Sequence, residues 1–392
     1  MKLVFFTHPD FLESQSMPRF ANMLKKGMIE RGHRVEVWTA KPFFSHLPVP
    51  KSVKKWIGYI DQYLIFPLQA QKKIKKASID TLYVFTDHAL GPWIPLVNDK
   101  PHVVHCHDFL AQQSALNKFP ENKTGWTGKK YQAFIRIGYR KAKNFISVSK
   151  KTKDDLHKFL GRIPETSEVV YNGLNQTFLK HDPNIAKLAL EKQIGVDLSK
   201  GYILHVGGNQ WYKNRTGVIA IYNAWRSQTQ LDLPLVMIGQ SPSSKLLAVH
   251  SKSLYKNSIY LVTNIDDSLI RMAYSGASLL LFPSIAEGFG WPIVEAMASG
   301  CPVITTSNAP MTEVAGDAAY FVPCKPYNNI EATAWAAAGA KVLNTVLNLS
   351  LTERQILIDR GLLNAKRFDT KKALDNIEEI YLKIIDEFEE KI

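Results

Sequence analysis

The chain has 392 residues, 45% hydrophobic and 21% charged, the composition of a globular protein long enough for two domains of ordinary size. No run of about 18 uncharged apolar residues would span a bilayer, and the opening segment, with His8, Pro9 and Asp10 after one short apolar stretch, lacks the form of a secretory signal, so a cytoplasmic protein is expected. The net charge of +14 is lopsided: residues 1–180 carry 29 Lys and Arg against 14 Asp and Glu, and residues 181–392 carry 20 against 21. A basic first half implies an anionic surface or partner that only that half meets, be it phospholipid, a phosphorylated acceptor or nucleic acid; a solvated lysine-rich surface accounts for the same charge. Cys106, Cys301 and Cys324 are too few for a disulfide framework and have no CxxC spacing, so reduced core or loop thiols are expected and no zinc site is indicated.

In chain order, the first half alternates short β-branched and aromatic runs with longer helical patterns: KLVFF, RVEVWT, TLYVF, HVVHC, NFISV and EVVYN. That rhythm predicts βαβ units and a parallel sheet. After the first strand, Ser14, Gln15 and Ser16 precede Pro18 in a βα turn, where polar side chains are candidates for hydrogen bonding to an acceptor. Residues 51–76 join lysine pairs (Lys54 and Lys55, Lys72 and Lys73, Lys75 and Lys76) to Val53, Trp56, Ile57, Ile60 and Leu64 at helical spacing. Such a helix can lie on an anionic membrane, each basic residue adding about 1 kcal/mol, or turn its apolar face to a core. Asp87 and His88 follow the third strand, as acceptor-side groups or a plain turn. His107 and Asp108 close the fourth, where open α/β sheets put ligands; His105 points the same way two residues earlier, and a core histidine is the competing role.

Between the sixth and seventh strands, Asn172-Gly173, Asp182-Pro183 and Asn184 supply turn chemistry. The join is therefore expected within residues 174–200, with domains at 1–180 and 181–375 and a final helix at 376–392 that packs back toward the first domain. The second half repeats the rhythm with YILHV, PLVMIG, SIYLV, ASLLLF, PVITT and AAYFV. The fold class is thus α/β, with two facing doubly wound, Rossmann-like domains and a ligand cleft between their strand ends. Residues 205–217, HVGGNQWYKNRTG, form a glycine-rich strand-to-helix turn carrying Lys213. It is no Walker A loop, because the glycine before the lysine and the Ser or Thr after it are both absent. Residues 284–303, SIAEGFGWPIVEAMASGCPV, hold a second such turn. Pro292 suits the first turn of a helix, which leaves the amides of Gly288, Phe289 and Gly290 without intrahelical partners and able to meet phosphate or sugar oxygens. Glu287 stands on that turn and Glu295 one helical turn in, both able to accept hydrogen bonds from hydroxyls. The tail is helical, with Leu374, Ile377, Tyr381, Ile384 and Phe388 on one stripe.

The E-x7-E spacing of Glu287 and Glu295, in the context EGFG, P, EAMASG and PVI, resembles the family 4 retaining glycosyltransferases of the GT-B fold, of the bacterial polysaccharide-biosynthesis type. ERGHRVEV from Glu30, NFISVSKKTKDDL from Asn144, VVYNGLNQTF from Val169, MIGQ from Met237 and TEVAGDAAYFV from Thr312 extend the resemblance over most of the chain. It implies that Glu287 contacts the donor sugar, Glu295 the nucleotide ribose, Lys213 the diphosphate and His107 the donor sugar and acceptor side, while Thr263, Asn264 and Ile265 cradle the base. Many relatives carry an arginine where this chain has Gly208. Arg215, or the backbone amides of Gly207, Gly208 and Asn209, must then supply the missing positive character.

The resemblance implies transfer of a sugar from a nucleoside diphosphate donor, UDP-glucose-type ahead of GDP-mannose, to a hydroxyl of a saccharide or lipid-linked saccharide acceptor. Front-side attack asks for orientation and charge stabilisation at the diphosphate, so no cofactor and no metal is expected, and no DxD cluster offers one. Competing readings are a sugar-nucleotide epimerase or a phosphorylase on the same scaffold, which consumes donor without acceptor; a basic nucleic-acid-binding protein, for which no recognition motif is present; and a catalytically idle sugar-nucleotide sensor.

Overall fold

In a computed structural model, which describes residues 1–12, 16–46, 48, 50–174 and 177–391, the chain forms two compact units. Unit 1 comprises Met1–Phe119, Lys123–Asn175 and Thr370–Ile392, and unit 2 comprises Pro120–Asn122 and Gln176–Asp369.

Unit 1 is built on β1 (Lys2–Phe6), β2 (Arg34–Trp38), β3 (Thr81–Phe85), β4 (His102–Cys106), β5 (Asn144–Ser147) and β6 (Thr166–Val169), all parallel, in the order β2-β1-β3-β4-β5-β6. β3 and β4 are buried along their whole length, as strands covered on both faces must be, and their side chains alternate between two cores. Phe6, Phe85, Val104 and Cys106 face Trp93, Ile135 and Tyr139. Phe5, Val84 and Val103 face Phe20, Leu24 and Met28 of helix Ser16–Glu30 together with Leu374, Ile377, Tyr381 and Ile384 of helix Thr370–Glu389. The last helix therefore completes the first sheet's core. His105, on this second face, shares a 2.6 Å hydrogen bond with Tyr381 Oη, and Arg31 pairs with Asp375 and with Glu378 at the helix's outer side.

Unit 2 carries β7 (Ile203–Val206), β8 (Leu235–Ile238), β9 (Ile259–Val262), β10 (Leu279–Phe282), β11 (Val303–Thr306) and β12 (Tyr320–Val322), again parallel, in the order β12-β11-β10-β7-β8-β9. Each sheet has one place where the chain winds off in opposite directions: between β1 and β3 in unit 1 and between β7 and β10 in unit 2. In doubly wound sheets the crevice outside those strands' carboxyl ends is the ligand site. The sequence correctly marks all twelve strands but misreads Asp182-Pro183 as a turn. Asp182 caps helix Pro183–Ile194, accepting from the amides of Asn184 and Ile185, and Pro183 occupies the first helical position, where its missing N–H costs nothing.

Candidate functional site

At the crevice of unit 2, β7 runs into the turn at Gly207 and β10 into the turn at Ser284. Lys213 ends a short 3-10 turn, Trp211–Lys213, and Asn214 follows with φ +52, a left-handed conformation that asparagine tolerates. Asn214 Nδ2 donates to Pro283 O at 2.9 Å and Ile285 N donates to Tyr212 O at 2.7 Å, so one side-chain and one main-chain donor stitch the two turns together. Lys213 Nζ consequently lies 2.8 Å from Glu287 Oε1, over the faces of Phe282 and Tyr212. Two of the residues read from the sequence, 74 positions apart, thus form one partly buried ion pair.

The glycine turn enters helix Trp291–Ala298 through Gly290 at φ +107, which only glycine adopts without strain. Gly288 and Phe289 both have partners within the protein, the ring of Phe289 packing edge-on against Trp291 and Phe368. Glu295, on the helix, accepts from Tyr274 Oη at 2.8 Å, and Glu287 Oε1 lies 2.6 Å from Ser284 Oγ. Both carboxylates thus meet hydroxyls, as their chemistry invites, but the hydroxyls belong to the protein. Neither Ser284 nor Tyr274 stands out in the sequence. Ser284 has one signal, its place just past a strand end; Tyr274, on helix Asp267–Gly276, has none.

Gly207, Gly208 and Asn209 line the exit of β7. Gly207 O lies 2.0 Å from where a Cβ on Gly239 would sit, so β7 and β8 can end this close only over a glycine. Asn209 is held by Gln240 and Ser241, its amide donating to Gln240 Oε1 at 3.1 Å and its Nδ2 to Ser241 O at 2.6 Å. Arg215 opens helix Arg215–Arg226 but turns inward: Nη1 donates to Asn209 Oδ1 at 2.7 Å and to Gln240 O at 3.1 Å, while Nε and Nη2 meet no protein acceptor among the described residues. Burial pulls its pKa below the ordinary arginine value. His205 beneath it donates Nδ1–H to Leu281 O at 3.0 Å and leaves Nε2 without a partner; burial, with the charges of Arg215 and Lys213, pushes its pKa down to about 3 against the opposing effect of that hydrogen bond. Thr263, Asn264 and Ile265 follow β9, the edge strand two places from β7, with Asn264 at φ +56.

At the crevice of unit 1, Asp87 collects the polar groups. Its Oδ2 accepts from His8 Nε2 at 2.9 Å, its Oδ1 accepts from Ala89 N at 3.1 Å, and His88 Nδ1 lies 2.9 Å from the same Oδ1. Burial alone would raise this carboxyl's pKa, but His88 and His8 hold it well below the carboxylate range. His8, at the exit of β1, was missed in the sequence. His107 donates Nε2–H to Thr86 O at 2.9 Å, which fixes its tautomer, and packs edge-on to Phe20; burial lowers its pKa. Asp108 accepts from Leu110 N at 2.9 Å as a helix-starting residue, and burial raises its pKa. Ser14 and Gln15 lie outside the described residues, and Ser16 is the first residue of its helix. Among the described residues no three His, Cys, Asp or Glu side chains are grouped to hold a metal ion.

Two family models meet on this chain. Residues 187–344 match the model of glycosyl transferases group 1 and residues 17–178 that of glycosyltransferase family 4, so the matches fall one on each unit. By these two models, which between them cover most of the chain, it belongs to the family 4 glycosyltransferases. Among curated relatives, O-antigen chain mannosyltransferase B of Escherichia coli is 29% identical over 43% of this chain and 42% of its own length. O-antigen chain mannosyltransferase RfbU of Salmonella typhimurium is 26% identical over 49% of this chain and 50% of its own. The match thus spans about half the length of these curated relatives. Among solved structures, Anabaena HepE in complex with UDP and glucose superposes with a TM-score of 0.69 over 97% of this chain and 98% of that one at 18% identity, a likeness of fold. The fold is the two-domain α/β GT-B fold.

Proposed function

We propose that this family 4 chain is a retaining hexosyltransferase that moves a sugar from a nucleoside diphosphate donor, bound at the crevice of unit 2, to a hydroxyl of a saccharide or lipid-linked saccharide in cell-surface polysaccharide synthesis. The observation that carries the reading is the Lys213–Glu287 pair at the carboxyl ends of β7 and β10, 2.8 Å apart. A diphosphate beside Lys213 takes over its charge, and a hexose hydroxyl donates to the Glu287 carboxylate so released. The N-terminus of helix Trp291–Ala298 adds main-chain dipole at the same place. In the front-side reaction the bond from the anomeric carbon to the β-phosphate oxygen breaks, the acceptor oxygen bonds to the same face, and the acceptor proton passes to the leaving phosphate. Orientation and charge stabilisation are all the protein must supply, so neither metal nor cofactor is invoked.

Glu295 is assigned to the ribose, residues 263–265 to the base, and His107, Asp108, Asp87 and His88 to the hexose and acceptor. A UDP-glucose-type donor is favoured by the UDP and glucose bound in the HepE structure. A mannose-bearing donor is the second reading, favoured by the two mannosyltransferase relatives, whose O-antigen names also favour a polysaccharide acceptor. No helix among the described residues is long and apolar enough to cross a membrane. Peripheral contact of unit 1 with an anionic cytoplasmic leaflet is proposed instead, from its basic charge.

A thermal-shift screen against UDP, GDP, ADP and their glucose and mannose esters, run in excess EDTA, tests the donor site. Ligand at about 100 times its Kd adds about 2.7 kcal/mol of stability, an easily read rise in melting temperature. At least one nucleotide is expected to give that rise without metal. Stabilisation by none overturns the assignment.

A further inference from the structure

Ser284 has more acceptors than it can serve. Its side chain is wholly buried, and its Oγ lies 2.6 Å from Glu287 Oε1 and 2.8 Å from Tyr212 O. A hydroxyl carries one hydrogen, so only one of these oxygens receives it at a time. With Tyr212 O already accepting from Ile285 N at 2.7 Å, the charged carboxylate is the stronger claimant. Glu287 Oε1 then holds two donors, Ser284 Oγ–H and Lys213 Nζ, and its lone pairs on that oxygen are spoken for.

We infer that Ser284 is a positioning residue whose hydroxyl rotates from Glu287 to Tyr212 O when the donor binds, handing Glu287 Oε1 to a hexose hydroxyl. The inference rests on the donor-site reading above. The diphosphate draws Lys213 away, and the rotation vacates the second position on the same oxygen. Ser284 keeps a hydrogen bond throughout, so the exchange strands no buried donor, which would otherwise cost most of what the hexose contact gains. The carbonyl that receives the hydrogen belongs to the residue before Lys213. The rotor thus links the turn that meets phosphate to the carboxylate that meets sugar.

The test compares affinities for UDP against UDP-glucose and GDP against GDP-mannose by titration calorimetry in wild type, Ser284→Ala and Ser284→Thr. The quantity read is the hexose increment, the ratio of the two Kd values within the pair that binds. Ser284→Ala is expected to leave the nucleoside diphosphate Kd within about twofold and to raise the increment about fivefold, because the hexose hydroxyl no longer displaces a hydrogen bond to the charged carboxylate. Ser284→Thr, which keeps the hydroxyl, should return the increment toward the wild-type value. If Ser284→Ala leaves the increment unchanged or lowers it, or loses affinity equally for both members of the pair, the rotor is wrong although the donor site stands. If wild type binds neither pair, both readings fall together.

Discussion

A guanidinium that is 5% exposed and has no salt-bridge partner among the described residues costs free energy to keep, because its lost hydration is repaid only by Asn209 Oδ1 and Gln240 O. Arg215 therefore reads as a residue retained for the shape and charge of the 207–210 turn rather than for stability. Replacing it with methionine, which matches its length and carries no charge, should leave the melting temperature of the free protein unchanged or raise it, by the equivalent of about 1 kcal/mol. The same change should weaken nucleoside diphosphate binding about tenfold, since the turn loses its buried positive charge and the Nη1 hydrogen bonds to Asn209 Oδ1 and Gln240 O. A fall of several degrees in melting temperature with unchanged nucleotide affinity would show instead that Arg215 is a structural residue.

On the scale of an element, the segment from Lys51 to Ile74 departs most from its periodicity. It is not one helix: helix Lys51–Ile60 passes through a π turn, Asp61–Ile65, into helix Phe66–Ile74. The wider turn lets steps of four residues stay on one face. Trp56, Ile60, Leu64 and Leu68 are 57%, 39%, 61% and 61% exposed, while Gln62, Phe66 and Ala70 repeat the same step on the buried side. The apolar stripe thus points to solvent. Lysines 72, 73, 75 and 76 follow it along the chain, and Phe134 and Ile137 of helix Trp126–Tyr139 are exposed as well, with the ring of Phe134 5.3 Å from that of Tyr63 in the π turn. Vesicles of phosphatidylglycerol and phosphatidylcholine should co-sediment with the protein at low salt, and Trp56→Ser with Leu64→Ser should weaken this at least tenfold. Equal binding by the double variant, or none by wild type, removes the membrane contact.

What the sequence made legible follows from range. The strands were visible because each is a local apolar run between turns, and Glu287, Gly290 and Glu295 because they share one turn and one helix. Lys213 was placed by its own glycine turn. Its partnership with Glu287 was not, and neither was the order β2-β1-β3, which brings His8 to Asp87 across 79 residues, because contacts of that span leave no periodicity to read.

At the scale of the whole molecule, each unit buries a histidine inside its sheet. His105 is pushed down to about 3 by burial, with a further contribution from His107, and His205 is likewise near 3. Unfolded, each titrates at about 6.5. Between those values the unfolded chain binds protons that the folded one refuses, so stability is full above about pH 6.5 and falls as pH drops toward 3. Each group contributes a slope of up to about 1.4 kcal/mol per pH unit. Asp108, raised by burial, works in the opposite sense. Urea midpoints measured at pH 7.5, 6 and 5 should fall steadily. His105→Phe should flatten the slope of the transition that reports unit 1, read from the near-ultraviolet signal of its buried Trp93, even though the variant starts less stable for want of a partner at Tyr381 Oη. A slope unchanged by His105→Phe would mean that this histidine carries its proton in the folded chain, and the neutral imidazole inside the first sheet would have to be given up.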